Sequence, residues 1–73
     1  MMRLSDTRAG ETVHIRAVDA AAGMKRRLLD LGFTAGADAT RLYMSPGGGA
    51  AAYLVRGAVV ALRNCDAAGI DVI

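Results

Sequence analysis

Alternation of hydrophobic and polar residues predicts the first strand of this chain, from Thr12 to Val18. The apolar positions are Val13, Ile15 and Ala17, and the polar positions between them are His14 and Arg16. A period of two residues is typical of a strand with one buried face. His14 is therefore expected on the outer face of this strand.

After Gly23 the hydrophobic period lengthens to that of a helix. Met24, Leu28 and Leu31 lie at i, i+4 and i+7, which places them on one helical face. Gly32 follows the last apolar residue, where helices often end in a left-handed conformation that glycine adopts easily. The pattern predicts one helix from Met24 to Leu31.

The rest of the chain predicts four further short strands separated by turn-forming residues. They are Asp38–Met44, Ala51–Val55, Ala58–Arg63 and Ile70–Val72. Arg56 and Gly57 join the middle two strands, and a two-residue connection with glycine suits a primed hairpin turn. In this hairpin Leu54 and Val59 are expected on the outer face.

Two connections complete the pattern. Ser45 and Pro46 followed by Gly47, Gly48 and Gly49 form the strongest loop signal in the chain. Residues 64–69 predict a single helical turn before the last strand. Five short strands with one helix after the first favour a small, partly closed barrel of mainly β class, because such a barrel leaves little strand edge unpaired. The length of 73 residues predicts one domain, 1–73.

Charge is concentrated at one place, Lys25-Arg26-Arg27, in a chain with a net charge of only +2. One interpretation is a solvated helix face. The other is an electrostatic contact for an acidic partner or an anionic membrane surface. The remaining charges are mixed in sign, and aromatic residues are too few for the basic, aromatic-rich pattern of a nucleic-acid binder.

The residue types needed for catalysis or metal binding do not cluster in the sequence. His14 and Cys65 are the only histidine and cysteine, and they are far apart along the chain. The glycine-rich loop lacks the Lys-Ser/Thr pair of a phosphate-binding loop. We therefore expect a binding module and not an enzyme, with no cofactor and no metal. Without a hydrophobic run of membrane-spanning or signal-peptide length, the expected location is the cytoplasm.

The stretch from Arg27 to Phe33, with the following Gly36, resembles the Arg-Leu-x-x-Leu-Gly-hydrophobic-x-x-Gly motif of the ferrous iron transport protein A (FeoA) family. Further similar positions are Gly10, Pro46, Val60 to Arg63, Ala67, Ile70 and Val72. The resemblance covers about Leu4 to Val72. It implies an SH3-like barrel with an inserted helix, in a small cytosolic accessory protein of bacterial ferrous iron uptake. The implied partner is the FeoB-type membrane transporter, which carries a cytosolic G-protein domain.

The resulting hypothesis is an adaptor that docks on the cytosolic part of that transporter. The candidate docking residues are Lys25, Arg26, Arg27, Gly47, Gly48, Gly49, Leu54 and Val59. Weak self-association through the exposed apolar pair is a further expectation. Two alternatives stay open: an SH3-like module that binds nucleic acid or the ribosome, and a metal-responsive module that uses His14, Cys65 or a site between chains.

Overall fold

Six strands and two helices make up most of the protein in a computed structural model, which describes residues 2–73. The strands are β1 Met2–Arg3, β2 Thr12–Val18, β3 Asp38–Met44, β4 Ala50–Val55, β5 Ala58–Arg63 and β6 Ile70–Val72. The helices are α1 Ala22–Leu31 and α2 Asn64–Ala67, and Leu4–Asp6 forms one 3₁₀ turn. The mainly β class and the placement of both helices are confirmed.

The strands form an antiparallel sheet in the order β1-β6-β2-β3-β4-β5. The strand count of five was too low, because β1 pairs with β6 through only Met2–Val72 and Arg3–Asp71. Two residues are too few to show a hydrophobic period. Helix α1 begins at Ala22, two residues before the predicted Met24, and β4 begins one residue early. Within the described chain, β1 and β5 are the two edges of the sheet.

The core is mainly aliphatic and is built from the inner face of the sheet, Leu4 of the 3₁₀ turn, Leu28 of α1, Ala67 of α2 and Phe33. The largest fully buried side chains are Tyr53, Phe33, Leu4, Ile15, Leu28, Ile70, Val55 and Val72. The predicted apolar face of α1 is confirmed at Leu28, whereas Leu31 remains 37% exposed. Leu28 is the one fully buried residue of α1, and Met24 and Leu29 are partly buried against the core.

The end of α1 is a Schellman motif that turns the chain back onto the core. The amide of Phe33 donates to the carbonyl of Leu28 at 3.0 Å, and the amide of Gly32 donates to that of Leu29 at 3.0 Å. Leu28 and Phe33, which this motif brings together, are both fully buried. The chain then pairs with β2, where Gly36 donates to the carbonyl of Ile15 at 2.8 Å.

Gly32 is needed at this position for two reasons. Its φ of +113° is a conformation that residues with a Cβ rarely adopt. A Cβ there would also lie 2.9 Å from Cδ of Arg56, whose side chain crosses the end of the helix and donates to Thr34 Oγ1 at 3.3 Å. The helix end and the β4–β5 turn are thus in direct contact at Gly32.

Arg41 is a buried cation inside the sheet, and only 4% of the residue is exposed to solvent. Its Nη2 donates to the carbonyl of Ser5 at 3.0 Å and to the hydroxyl of Tyr53 at 3.1 Å. The guanidinium carbon lies 5.6 Å from the centre of the Tyr53 ring, within cation–π range. These contacts join the 3₁₀ turn to β3 and β4.

We predict opposite stability changes for two glycine substitutions in or beside α1. Gly32→Ala should lower the free energy of unfolding by about 1–3 kcal/mol, because it combines a strained φ with the collision at Arg56. Gly23→Ala should raise it by about 0.5–1 kcal/mol, since Gly23 is helical and a Cβ there meets nothing within 4 Å. Urea denaturation measures both; equal effects would contradict the assigned role of Gly32.

We also predict that Arg41→Ala lowers the free energy of unfolding by about 3 kcal/mol, because it leaves a cavity and removes partners from Ser5 and Tyr53. Arg16→Ala is the matched control, since Arg16 is exposed on β2, and it should change stability by less than about 0.5 kcal/mol. Thermal and urea denaturation of both variants measure the difference. Similar stability of the two variants would show that the buried guanidinium does not hold the 3₁₀ turn in place.

Candidate docking surface

An exposed apolar pair lies on the outer face of the β4–β5 hairpin, as the sequence predicts. Leu54 and Val59 are directly opposite each other in the register and are 39% and 60% exposed. Tyr43 on β3 is 61% exposed and pairs with Ala52 on the same sheet. The outer face of β3, β4 and β5 therefore presents apolar side chains that the described chain leaves uncovered.

The basic residues Lys25, Arg26 and Arg27 are all exposed on α1, but they face different surroundings. Arg26 Nε lies 3.6 Å from Asp30 Oδ2, one turn further along the helix. Such exposed i,i+4 pairs contribute little to stability. Arg27 instead lines a groove beside β5. Of the three cations, Arg27 is therefore the best placed to contact something bound next to the sheet.

The groove, about 410 Å³ in volume, lies between α1 and β5. Met24, Arg27, Leu28 and Leu31 line it from the helix, and Ala61, Leu62 and Arg63 line it from the strand, with Asp66 of α2 at one end. The half-exposed Leu31 is explained by this opening. We call it the α1–β5 groove.

A second, more open depression continues along the same helix. It is lined by Leu29, Asp30, Leu31, Gly32, Thr34, Val55, Arg56 and Ala58. Leu31 belongs to both depressions. The space between α1 and the β4–β5 hairpin therefore extends over most of the length of β5.

Gly47, Gly48 and Gly49 are tied to the C-terminal end of β5. The side-chain amide of Asn64 donates to the carbonyl of Gly48 at 2.6 Å, and its backbone amide donates to that of Gly49 at 2.9 Å. Asn64 directly follows β5. The loop thus lies at the end of β5, the strand that carries Val59 and lines one side of the groove.

The structure therefore brings most of the predicted docking residues to β5. Val59 lies on the outer face of β5, with Leu54 of β4 directly opposite it. Arg27 lies across the groove, and the glycine loop borders the C-terminal end of β5. Lys25 and Arg26 are on the same helix but do not line the groove. The docking role of all eight residues remains a prediction.

Arg63 and Asp66 form an ion pair at the mouth of the groove. Arg63 Nε donates to Asp66 Oδ2 at 3.0 Å. This hydrogen bond, together with the negative charge of Asp66, raises the pKa of the Arg63 guanidinium. The negative charge of Asp66 is thus balanced by its ion pair with Arg63. Arg27, in contrast, has no ion-pair partner within residues 2–73.

His14 and Cys65, the candidate metal-binding residues, lie in separate exposed places. His14 Nδ1 is 2.5 Å from Asp38 Oδ1 across β2 and β3, and Cys65 is exposed on α2. Over the part of the chain that the structure describes, no three His, Cys, Asp or Glu side chains are grouped to hold a metal ion. The predicted outer-face position of His14 is confirmed.

The sequence did not reveal the groove or the buried role of Arg41. A groove between α1 and β5 depends on how a helix packs against a strand that follows it by more than twenty residues. The hydrophobic pattern of β3 could not show which face of the strand is interior. A register shift between Arg41 and Tyr43 also changes which side chains of β3 point inward on either side of it.

None of the helices in residues 2–73 is long and apolar enough to cross a membrane.

Comparisons with known proteins agree with this architecture. The family model described as the FeoA domain matches residues 2–73. The FeoA protein from Chlorobium tepidum is 34% identical with a TM-score of 0.92, over 97% of this chain and 68% of that one. Among curated proteins, no match to the chain was found.

Stenotrophomonas maltophilia FeoA, solved in complex with zinc, is 28% identical with a TM-score of 0.89, over 100% of this chain and 91% of that one. It is described as a prokaryotic SH3 domain protein and a candidate activating factor of bacterial ferrous iron transport. A manganese-dependent transcriptional repressor shares the fold alone, at 22% identity and a TM-score of 0.88, over 99% of this chain and 40% of that one. The expected SH3-like architecture is thereby confirmed.

Proposed function

This chain belongs to the FeoA family, and we propose on that premise that it is an accessory protein of ferrous iron uptake that acts by binding, not by catalysis. Its proposed partner is the cytosolic G-protein domain of an FeoB-type transporter, and its proposed location is the cytoplasm. The description of the Stenotrophomonas relative as a candidate transport activating factor supports an accessory role.

The observation that carries the proposal is the collection of exposed apolar and cationic groups around β5. Val59 is 60% exposed on one side of the strand, and the groove with Leu31 and Arg27 opens on the other. Apolar contacts supply affinity at an interface, while charges at its rim raise the rate of encounter. A surface of this kind fits a protein partner with acidic residues at its edge.

We predict that the double change Arg26→Glu and Arg27→Glu weakens binding to the transporter's purified cytosolic domain by about tenfold in 20 mM salt. The difference should shrink in 1 M salt, because the Debye length falls to about 3 Å there. Isothermal titration calorimetry with the unmodified chain and the variant measures both quantities.

Arg8→Glu with Arg16→Glu is the matched control, because it changes the net charge equally at exposed positions outside α1 and β5. If the control weakens binding as much as the helix variant, only net charge matters and α1 is not part of the docking surface. If the unmodified chain does not bind the cytosolic domain at all, the proposed function is wrong.

A further inference from the structure

The backbone of β5 has free hydrogen-bonding groups at alternate residues. Arg56 and Gly57, with φ of +50° and +79°, form a two-residue hairpin turn closed by the pair Val55–Ala58. In such a hairpin the closing pair is hydrogen-bonded, and bonded and non-bonded pairs alternate from there. Ala58, Val60 and Leu62 therefore bond to β4.

The amides and carbonyls of Val59 and Ala61 point the other way, out of the sheet. No backbone hydrogen bond to either residue occurs outside the β4 ladder in residues 2–73. The other edge, β1, is only two residues long, whereas β5 has six. The longer edge is thus the one that offers a row of unpaired donors and acceptors.

Apart from the charge of Arg63 at its end, this edge lacks the features that normally prevent another strand from adding to it. Its sequence, Ala-Val-Val-Ala-Leu-Arg, contains no proline and no lysine, and its register with β4 has no bulge. Val59 and Ala61 are both exposed. Natural edge strands of this length that stay unpaired usually carry such protection.

The α1–β5 groove runs beside the same edge and supplies side-chain contacts for an added strand. Leu31 and Leu62 give it apolar walls, and Arg27 gives it a cation without an ion-pair partner in the described chain. Asp66, the one acidic residue lining the groove, is held by Arg63 at 3.0 Å. The charge available to a ligand is therefore positive.

We propose that β5 is an acceptor edge to which an extended, acidic segment of the partner adds as a seventh strand, with its side chains reaching the α1–β5 groove. This inference rests on the proposed function, because the segment belongs to the partner named there. Main-chain hydrogen bonds to Val59 and Ala61 supply affinity, and an acidic side chain near Arg27 supplies specificity.

Charge argues against a second copy of this chain as the occupant. In a symmetric β5–β5 pairing the added strand would bring Arg63 and no acidic residue. It would also bring a second Arg27 and a second protein with a net charge of +2 to the same groove. Like charges placed together at an interface oppose association.

The test is Ala61→Pro, which removes the outward amide of β5 without touching the β4 ladder. Proline is tolerated on an edge strand where the amide faces solvent. Binding to the transporter's cytosolic domain should weaken by about tenfold, as expected for one lost hydrogen bond plus the ring in the path of an added strand. Ala61→Ser, which also changes the side chain but keeps the amide, is the matched control, and Ala61→Pro should bind more weakly than it by about the same factor.

Val59→Pro with the control Val59→Ala repeats the test at the second outward amide, so a folding defect in one proline variant does not decide the result. Circular dichroism and thermal denaturation identify the folded variants. If both prolines bind like their controls while the unmodified chain binds, strand addition is wrong and the proposed function stands. Failure of the unmodified chain to bind overturns both.

Light scattering of the free protein over a range of concentrations tests whether a second copy of this chain occupies the edge of β5. The proposal predicts a mass that does not depend on the residue at position 61. Dimerisation that Ala61→Pro abolishes would show that a second copy covers β5 and would overturn the acidic partner segment.

Discussion

The reversal of the chain at Gly32 is the constraint on which the rest of this structure depends. Leu28 is the one α1 residue that is completely buried, and the motif that ends the helix places Phe33 beside it. The same glycine allows Arg56 of the hairpin turn to cross the helix end at close range. One left-handed residue therefore fixes both where α1 lies and how far it stands from β5.

That separation explains the surface features of the domain. A helix packed fully against β5 would cover Leu31 and leave no opening, whereas here the two elements form a groove with Arg27 on its rim. Asp66 of α2 also lines this groove, and Arg56 of the hairpin turn lines the second depression beside it. A domain of 73 residues buries a limited core, and gaining contacts from a partner is a common way for such domains to become more stable.

Local signals in the sequence predicted the parts of the fold that depend on local physics. Gly32 follows an apolar helix face, so the helix end could be placed from spacing alone. Period-two alternation placed His14 outside and paired Leu54 with Val59 on the outer face. By contrast, β1 is two residues long and gains its structure only from pairing with β6, which no local pattern records.

The interior of β3 shows the same limit more clearly. Arg41 carries a charge, and charged residues are almost never fully buried without a partner. Its burial depends on Tyr53 from β4 and the carbonyl of Ser5, which are distant in sequence. The groove likewise arises from the packing of α1 against β5. The sequence therefore identified residues of the candidate surface. The feature that they share, the free edge of β5, can be recognised only once the strand order is known.

Amide hydrogen exchange followed by NMR, with and without the transporter's cytosolic domain, tests the central claim most directly. In the free protein the amides of Val60 and Leu62 should exchange slowly, because they bond to β4, and those of Val59 and Ala61 should exchange fast. Saturation with the cytosolic domain should slow exchange at Val59 and Ala61 specifically. Binding that leaves these two amides as fast as before would contradict the account, since the partner would then have docked without using the edge of β5.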